Sequence, residues 1–486
     1  MAIPKVCGIE NEFGFSVFNE EGKQLNDLDY EIYLEAAHRL VVDFLFYEKA
    51  VRYDHSRESR RSSLGPSNER LGLLERAHAL LLERLKASDG FLRNGARFYL
   101  DGDHPEYSTP ECLSPLDLVA YDKASELAIQ QAADLFSNRA GNRYRIFLHK
   151  NNSDGNGKSY GSHLNVLLSR ALVKDYRNYF IQHYVPFQIV RMILIGGGKL
   201  GSENGRPPCQ FQISQRADFF ERLISLNTTE ERPIFNTRDE PHADPNKYFR
   251  LHDISTDALM CERANFLRVA LTQVALAMIE DKFLNENLMP RNPVAAMQRV
   301  SRDLKFKDRL LLESGMQLTG LEILRKYLIN AGKYLENHPM TKAHSLAVKD
   351  GLAMLEALET NPFSTAGRLD WTTAWQIAES RPAEAKKNLW RFREISPRSL
   401  YRQLLEKGAI QRLLKEEKIL RAKSEAPENT RAYLRGAVIK KFGNSVKKMS
   451  WSAVSFRWGS KISFLELGEP FLDKETADVI LSNLEL

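Results

Sequence analysis

Hydrophobic and polar positions change period along this chain, and the changes divide it into three stretches. In the first 290 residues, short alternating runs interleave with helical ones. Residues 3–18 read as a strand with a glycine break, and Tyr33, Leu34, Ala37, Leu40, Val41, Phe44 and Leu45 recur at the spacing of an amphipathic helix over 30–49. Arg, Ser, His and Glu dominate residues 52–70, which read as a mobile basic loop, and a Leu- and Ala-rich helix is expected from about 70 to 87. A helix from Asp117 to Asn138 carries Pro115 in its first turn, where the missing N–H costs nothing. Strands are expected at Tyr144–His149, Ser162–Ser169, Gln210–Gln215 and Pro233–Thr237, and helices at Tyr176–Leu194 (stopping at Gly196-Gly197-Gly198) and 256–283. From about 315 to Ala422 the pattern is almost wholly helical, and the tail mixes a helix at Tyr433–Phe442 with a strand at Trp451–Arg457. The strands lack regular βαβ alternation, so the expected class is α+β, an antiparallel sheet backed by helices.

Composition narrows the function classes only a little. At 43% hydrophobic and 27% charged, the chain is that of an ordinary soluble globular protein. A net charge of +6 over 486 residues is satisfied by a solvated surface and gives no support to nucleic-acid binding. Cys7, Cys112, Cys209 and Cys261 are scattered without a C-x-x-C pair, which argues for a reducing compartment. The first residues lack a signal-peptide pattern, and the longest apolar run, around Val185–Ile195, holds Gln188 and Arg191 and is too short to span a bilayer. The expectation is a cytoplasmic protein without a membrane partner.

Candidate chemistry concentrates in Asn94–Cys112. Arg97, Tyr99 and Asp101 share one strand face by period-two alternation, and Pro105 is expected to bend the chain and bring Glu106 nearby, with His104, Thr109 and Glu111 close in sequence. Glu10 and Glu12 repeat the same spacing. Two acidic strand segments suit a phosphate or a hard cation such as Mg²⁺, which takes oxygen ligands. The phosphate-loop signatures fail: Gly161 stands one place late for G-x-G-x-x-G after Gly155 and Gly157, and Gly198-Lys199 is followed by Leu200 rather than Ser or Thr. No H-E-x-x-H occurs. The polar block Asn236–Asp244 follows a strand and contains Arg238 and His242, which suit a phosphate or an oxyanion. His163 and Asn165 alternate with apolar neighbours and, with Lys150, Asn151 and Asn152, would line the same cleft; Trp451 reads as core, with stacking on an adenine as the sharper alternative.

Taken together these blocks resemble the family of Pup ligases and Pup deamidase/depupylases, whose catalytic domain has the glutamine-synthetase fold. The resemblance lies in Gly8–Gly14, Asn94–Cys112, Lys150-Asn151-Asn152, Ser159–His163, Phe211–Asp218, Asn236–Asp244 with Leu251-His252, Leu318–Leu321, Thr430–Gly436 and Trp451. It implies a glutamine-synthetase-like catalytic domain over 1–415, with a polar loop at about 50–90, and a small mixed C-terminal domain over 416–486 closing on the nucleotide. It implies ATP and Mg²⁺ as cofactors and Pup or a Pup-like protein, with its conjugates, as partner. Carried over by position, Glu10, Tyr99 and Glu106 would bind Mg²⁺, with Glu12 a further candidate; Arg97, Thr109 and Trp451 would hold ATP; Asp101 would be the catalytic carboxylate. Between the sister activities, the resemblance favours the hydrolase, which deamidates the modifier's C-terminal Gln and cleaves its isopeptide bond to lysine. Five positions separate Asp101 from Glu106, as in the hydrolase, Ser162 stands where the ligase usually has Cys, and the polar stretch falls where the hydrolase carries an extra loop. The alternative is the ligase, which makes that bond through a γ-glutamyl phosphate. The chain departs from the family at Leu164, where a Glu is usual, at Asn11, usually Thr or Val, at Phe249, usually Arg, and in a shortened 380–398 segment.

Overall fold

A computed structural model describes residues 1–24, 30–55, 88–139, 143–458 and 461–484. Most of the expected basic loop and the helix expected at 70–87 lie outside the described residues. In chain order the strands that build the site are β1 (Cys7–Glu12), β2 (Gly14–Asn19), β3 (Val51–Arg52), β4 (Asp89–Phe91), β5 (Arg97–Asp101), β6 (His104–Ser108), β7 (Tyr144–His149), β8 (Ser162–Ser169) and β9 (Tyr248–Asp253). Seven of them form one antiparallel sheet in the order β9-β8-β1-β6-β5-β4-β3, while β2 pairs with β7 apart from it. The α+β class expected from the missing βαβ rhythm is the one observed.

Alternation explains how the sheet divides its two faces. In β1, Cys7, Ile9 and Asn11 are buried while Gly8, Glu10 and Glu12 stay partly open. The buried face meets α2 (Pro115–Arg139) and α4 (Glu262–Glu280) in a core that joins Cys7 and Ile9 to Leu118, Leu164, Val166 and Leu267. The other face holds the carboxylates. α1 (Tyr30–Tyr47) packs Leu40, Val41 and Phe44 into a second cluster with Phe98 and Tyr107.

Several boundaries differ from the sequence reading, each for a local reason. Pro105 does not bend the chain: the reversal is the Gly102-Asp103 turn, where Gly102 takes φ 59°, and Pro105 sits in the returning strand opposite Leu100. The 256–283 helix begins only at Glu262, because Asp257 and Asp370 hold the preceding segment and its neighbours extended; Asp370 accepts from the amides of Met260 and Cys261. The helix expected at Tyr176–Leu194 is α3 (Arg170–Val190), which starts earlier and is kinked at Tyr176. The strand expected at Gln210–Gln215 shortens to Phe211–Gln212. The 315–422 stretch is mostly helical, broken by coil at 366–369, 394–399 and 407–415, and opens on a small hairpin ending at Thr319, whose side chain and Glu322 form a capping box for the helix Gly320–Asn337.

The C-terminal elements are α5 (Ala432–Phe442), β10 (Val446–Met449), β11 (Ala453–Trp458), β12 (Lys461–Glu466) and α6 (Lys474–Asn483). Their core gathers Leu434, Val438, Met449, Val454, Phe456 and Leu481 with Val51, Tyr53 and Phe91 from the edge of the main sheet. The helix Glu416–Ser424 puts Ile419 and Ala422 into the main core. Two glycines permit the close approach of α5. A Cβ at Gly436 would lie 2.5 Å from the carbonyl oxygen of Arg93, and Gly95 (φ 81°) meets the Ala432 carbonyl oxygen at 3.0 Å from its own Cβ position.

Candidate active site

Antiparallel register brings the two acidic segments together. Glu12 lies opposite Glu106, which lies opposite Tyr99, while Glu10 faces Ser108 on one side and His163 on the other. The β1, β5, β6, β8 and β9 side chains on this face converge into two groups. Carboxylate oxygens of Glu12, Asp101 and Glu106 lie within 4.8 Å of one another, and so do the ligand atoms of Glu10, His163 and His252. Glu10 is 3.5 Å from His163, 3.8 Å from Arg250 and 3.9 Å from His252.

Electrostatics follow from this crowding. Burial, then the charges of Asp101, Glu12 and Glu10, push the Glu106 carboxyl well above the ordinary range. Asp101 keeps an exposed edge at the strand end, yet its carboxyl faces the cluster; loss of water there, then repulsion by Glu12, raises it too. Burial and the nearby Glu106 and Glu10 keep the Tyr99 phenol protonated, and its oxygen accepts from Ser108 Oγ at 3.4 Å. Burial would raise Glu10 as well, but the His163 hydrogen bond and the Arg250 charge outweigh it and hold Glu10 low. Burial and Arg250 keep both His242 and His252 neutral. Three crowded carboxyls beside one carboxylate with two imidazoles form donor sets that fit divalent cations.

Beside the carboxylates an open cleft is lined by Gly8, Ile9, Glu10, Thr109, His242, Arg250, Arg431 and Trp451, among others. Trp451 forms its wall from the C-terminal elements, edge-on to Phe91 at 5.0 Å and beneath the Arg435 guanidinium at 4.8 Å. Thr109 is buried, and its Oγ1 accepts from the Ile9 amide at 3.0 Å. Arg431 ties the walls together, donating to Glu111 at 2.8 Å and to the His242 carbonyl.

The structure therefore places Glu10, Thr109, His242 and Trp451 on one cleft, with Glu12, Tyr99, Asp101, Glu106 and His163 on the adjoining sheet face. Arg97 does not line the cleft: its guanidinium pairs with Asp89 through two bonds of 2.8 and 2.7 Å and is sandwiched between the rings of Tyr53 and Tyr99. Arg238 is largely exposed and pairs with Glu240 at 3.2 Å. The expectation that Lys150 and Asn152 line the cleft fails. Lys150 lies behind the sheet, fully buried, 2.6 Å from Asp122, and Asn152 bonds to the Tyr160 carbonyl and the Ala258 amide. Arg250 and His252 were missed with their strand β9, although they alternate with Phe249 and Leu251 as half-buried strand residues do.

Comparison with known proteins places this geometry. The family described as Pup-ligase protein matches residues 5–455. A depupylase of Acidothermus cellulolyticus is 36% identical over 481 residues, covering 93% of this chain and 91% of the relative. A Pup–protein ligase of Acidimicrobium ferrooxidans is 37% identical over 371 residues, covering 73% of this chain and 80% of the relative. Among solved structures, the crystal structure of the complex between Pup and its ligase PafA superposes with a TM-score of 0.82 at 27% identity, covering 99% of this chain and 91% of that one. PafA in complex with ADP gives 0.76 at 29% identity, covering 89% and 99%. Among the described residues, no helix is long and apolar enough to cross a membrane.

Proposed function

The chain belongs to the Pup-ligase family, and from that membership we propose that it is an ATP- and Mg²⁺-dependent hydrolase of Pup or a Pup-like modifier. It deamidates the modifier's C-terminal Gln and cleaves its isopeptide bond to substrate lysines. The observation that carries the reading is the carboxylate cluster Glu12–Asp101–Glu106, mounted beside an open cleft walled by Thr109, Arg431 and Trp451. Two features support hydrolase over ligase. The depupylase relative aligns over 93% of the chain and the ligase over 73%, and the short Gly102-Asp103 turn keeps Asp101 and Glu106 five positions apart.

Glu10, Tyr99 and Glu106, with Glu12, would hold Mg²⁺, and the donor geometry adds His163 and His252 beside Glu10. When bound, the ion supplies positive charge among the carboxylates and a seat for nucleotide phosphates. Trp451 and Thr109 line the nucleotide cleft; Arg97, locked by Asp89, orients Tyr99 from behind. Asp101, at the open end of β5, either attacks the side-chain amide carbonyl or takes a proton from the water that does. The C–N bond breaks, the amine leaves with a proton, and water supplies the oxygen of the new γ-carboxyl. Cationic groups such as Arg238, with His242 at the cleft, would face the developing oxyanion. The C-terminal elements from about residue 430 close the base side of the cleft through Trp451.

The ligase remains the second reading because the PafA–Pup complex superposes over nearly the whole chain. One assay separates them: purified protein with ATP and Mg²⁺, given either a Pup-conjugated protein or free Pup ending in Glu plus an acceptor. Release of Pup without stoichiometric ADP is the expected result. New conjugates with matching ADP would make it the ligase.

A further inference from the structure

Directly behind the carboxylates lies a buried polar network that the reaction chemistry does not use. Asn11 occupies β1 between Glu10 and Glu12, with its side chain on the opposite face and no solvent exposure. Its Nδ2 donates to Asp122 Oδ1 at 2.8 Å, and its Oδ1 accepts from Ser162 Oγ at 2.7 Å. Ser162 is also its partner in the β1–β8 ladder. Asp122, about two turns into α2, accepts at its other oxygen from Lys150 and from Asn265, both at 2.6 Å. Arg268 on α4 closes the ring, donating to Ser162 Oγ at 2.9 Å and to Asn265 Oδ1 at 3.0 Å.

We propose that Asn11, with Ser162 and Asp122, is a positioning device for the metal-binding carboxylates: it fixes where β1 sits, and so where Glu10 and Glu12 project. The proposal rests on the metal-site reading given above. Its physical basis is the period of a strand. A slip of one residue exchanges the two faces, which would bury both glutamates and expose Asn11. Apolar neighbours such as Cys7 and Ile9 favour the right face but tolerate small translations, because packing is not directional. A hydrogen-bonded amide is directional, and Asn11 is anchored to α2 by Asp122 and to β8 by Ser162. Asp122 cannot drift either, since Lys150 and Asn265 hold its second oxygen and Lys150 is shared with Glu126 at 3.0 Å. Strand, neighbouring strand and two helices are thus pinned at the one residue that separates the two site glutamates. Groups that orient metal ligands without touching the metal commonly alter affinity 10- to 100-fold when removed.

The test compares full-length wild type with Asn11→Leu, Ser162→Ala and Glu12→Gln, each confirmed as folded by its thermal transition. Binding of Mn²⁺, used as a spectroscopic substitute for Mg²⁺, is followed by electron paramagnetic resonance, and the Mg²⁺ concentration for half-maximal turnover is measured below the melting range. The expected result is an affinity loss of about tenfold or more in Asn11→Leu and a smaller one in Ser162→Ala, with a matching rise in Mg²⁺ requirement. If Asn11→Leu does not fold, Ser162→Ala carries the test alone. A lowered melting temperature with unchanged Mn²⁺ affinity and Mg²⁺ requirement would overturn the proposal, leaving the network a purely structural one. If Glu12→Gln itself leaves Mn²⁺ affinity unchanged, the metal-site reading fails, and the positioning role fails with it.

Discussion

Removing the charge of Glu111 should loosen the C-terminal wall of the cleft without disturbing the carboxylates. Glu111 follows β6 and receives charged hydrogen bonds from Arg431 at 2.8 Å and from both terminal nitrogens of Arg435. Its backbone carbonyl accepts from Thr430 at 2.7 Å. Burial alone would raise this carboxyl, but the Arg435 and Arg431 guanidiniums bring it from 4.5 down to about 2. At about 1.4 kcal/mol per pKa unit that fall corresponds to about 3 kcal/mol. Burial pulls Arg431 below its usual value despite Glu111, so this figure is an upper one. It agrees with the ~3–5 kcal/mol expected on breaking a buried charge pair. The sign is fixed by linkage: a carboxyl held low in the fold stabilises it above pH 4.5, and that stabilisation is lost as pH falls toward about 2. Glu111→Gln keeps the shape and removes the charge. Hydrogen exchange resolved to α5 should therefore speed up at pH 7 by a factor on the order of 100, if α5 opens locally. The difference between variant and wild type should shrink as the pH is lowered below 4.5. Unchanged protection of α5 at neutral pH in a folded variant would refute the reasoning.

Other perturbations separate chemistry from architecture. Asp101→Asn should abolish turnover and leave ATP binding near wild type, measured by calorimetry; an active variant removes Asp101 from the catalytic role. Trp451→Leu should raise the KM for ATP about tenfold with little change in kcat, since a stacked aromatic contributes about 1–1.5 kcal/mol; an unchanged KM would put the base elsewhere. Lys150→Met leaves Asp122 and Glu126 buried without their shared cation and should cost about 3–5 kcal/mol, read as a lowered melting temperature. Burial holds His344 down at about 4 against the usual 6.5, so the unfolded chain takes up this proton first. Stability should then fall as pH drops from 6.5 toward 4, by about 2 kcal/mol at pH 5 from this group. His344→Gln should flatten that dependence, and an unchanged slope of melting temperature against pH would count against it.

What the sequence revealed and what it hid differ by the range of the interaction involved. β1, β7 and β8 and the helices from α1 to α5 were legible because alternation or helical spacing is a local property, and burial reproduced it. β9 was not: six residues between an Asp-Pro-Asn-Lys turn and an extended segment gave too short a pattern, although Phe249 and Leu251 alternate properly with Arg250 and His252. The helix expected through Thr256–Cys261 fails because side chains distant in sequence, Asp370 at Met260 and Cys261 and Asn152 at Ala258, claim those amides. Lys150 looked like a cleft residue because nothing nearby in sequence shows that Asp122 and Glu126 will meet it in the core. The candidate site was legible to the extent that its carboxylates sit on one strand face. The clamp between Glu111 and Arg431 spans 320 positions, and no periodicity reports on it.

The shared core beneath Trp451 decides how far that wall of the cleft can move. Val51, Tyr53 and Phe91 of the main sheet complete the packing of α5, β10 and β11, so this segment has no closed core of its own. Swinging it outward as a hinged lid would expose Phe91 and Met449, both fully buried, together with the Glu111–arginine clamp. A ligand of the cleft would instead enter through its open mouth while the walls stay in place. The Trp451 side of the cleft therefore moves with the main sheet, and loosening it costs the shared core and the arginine clamp together.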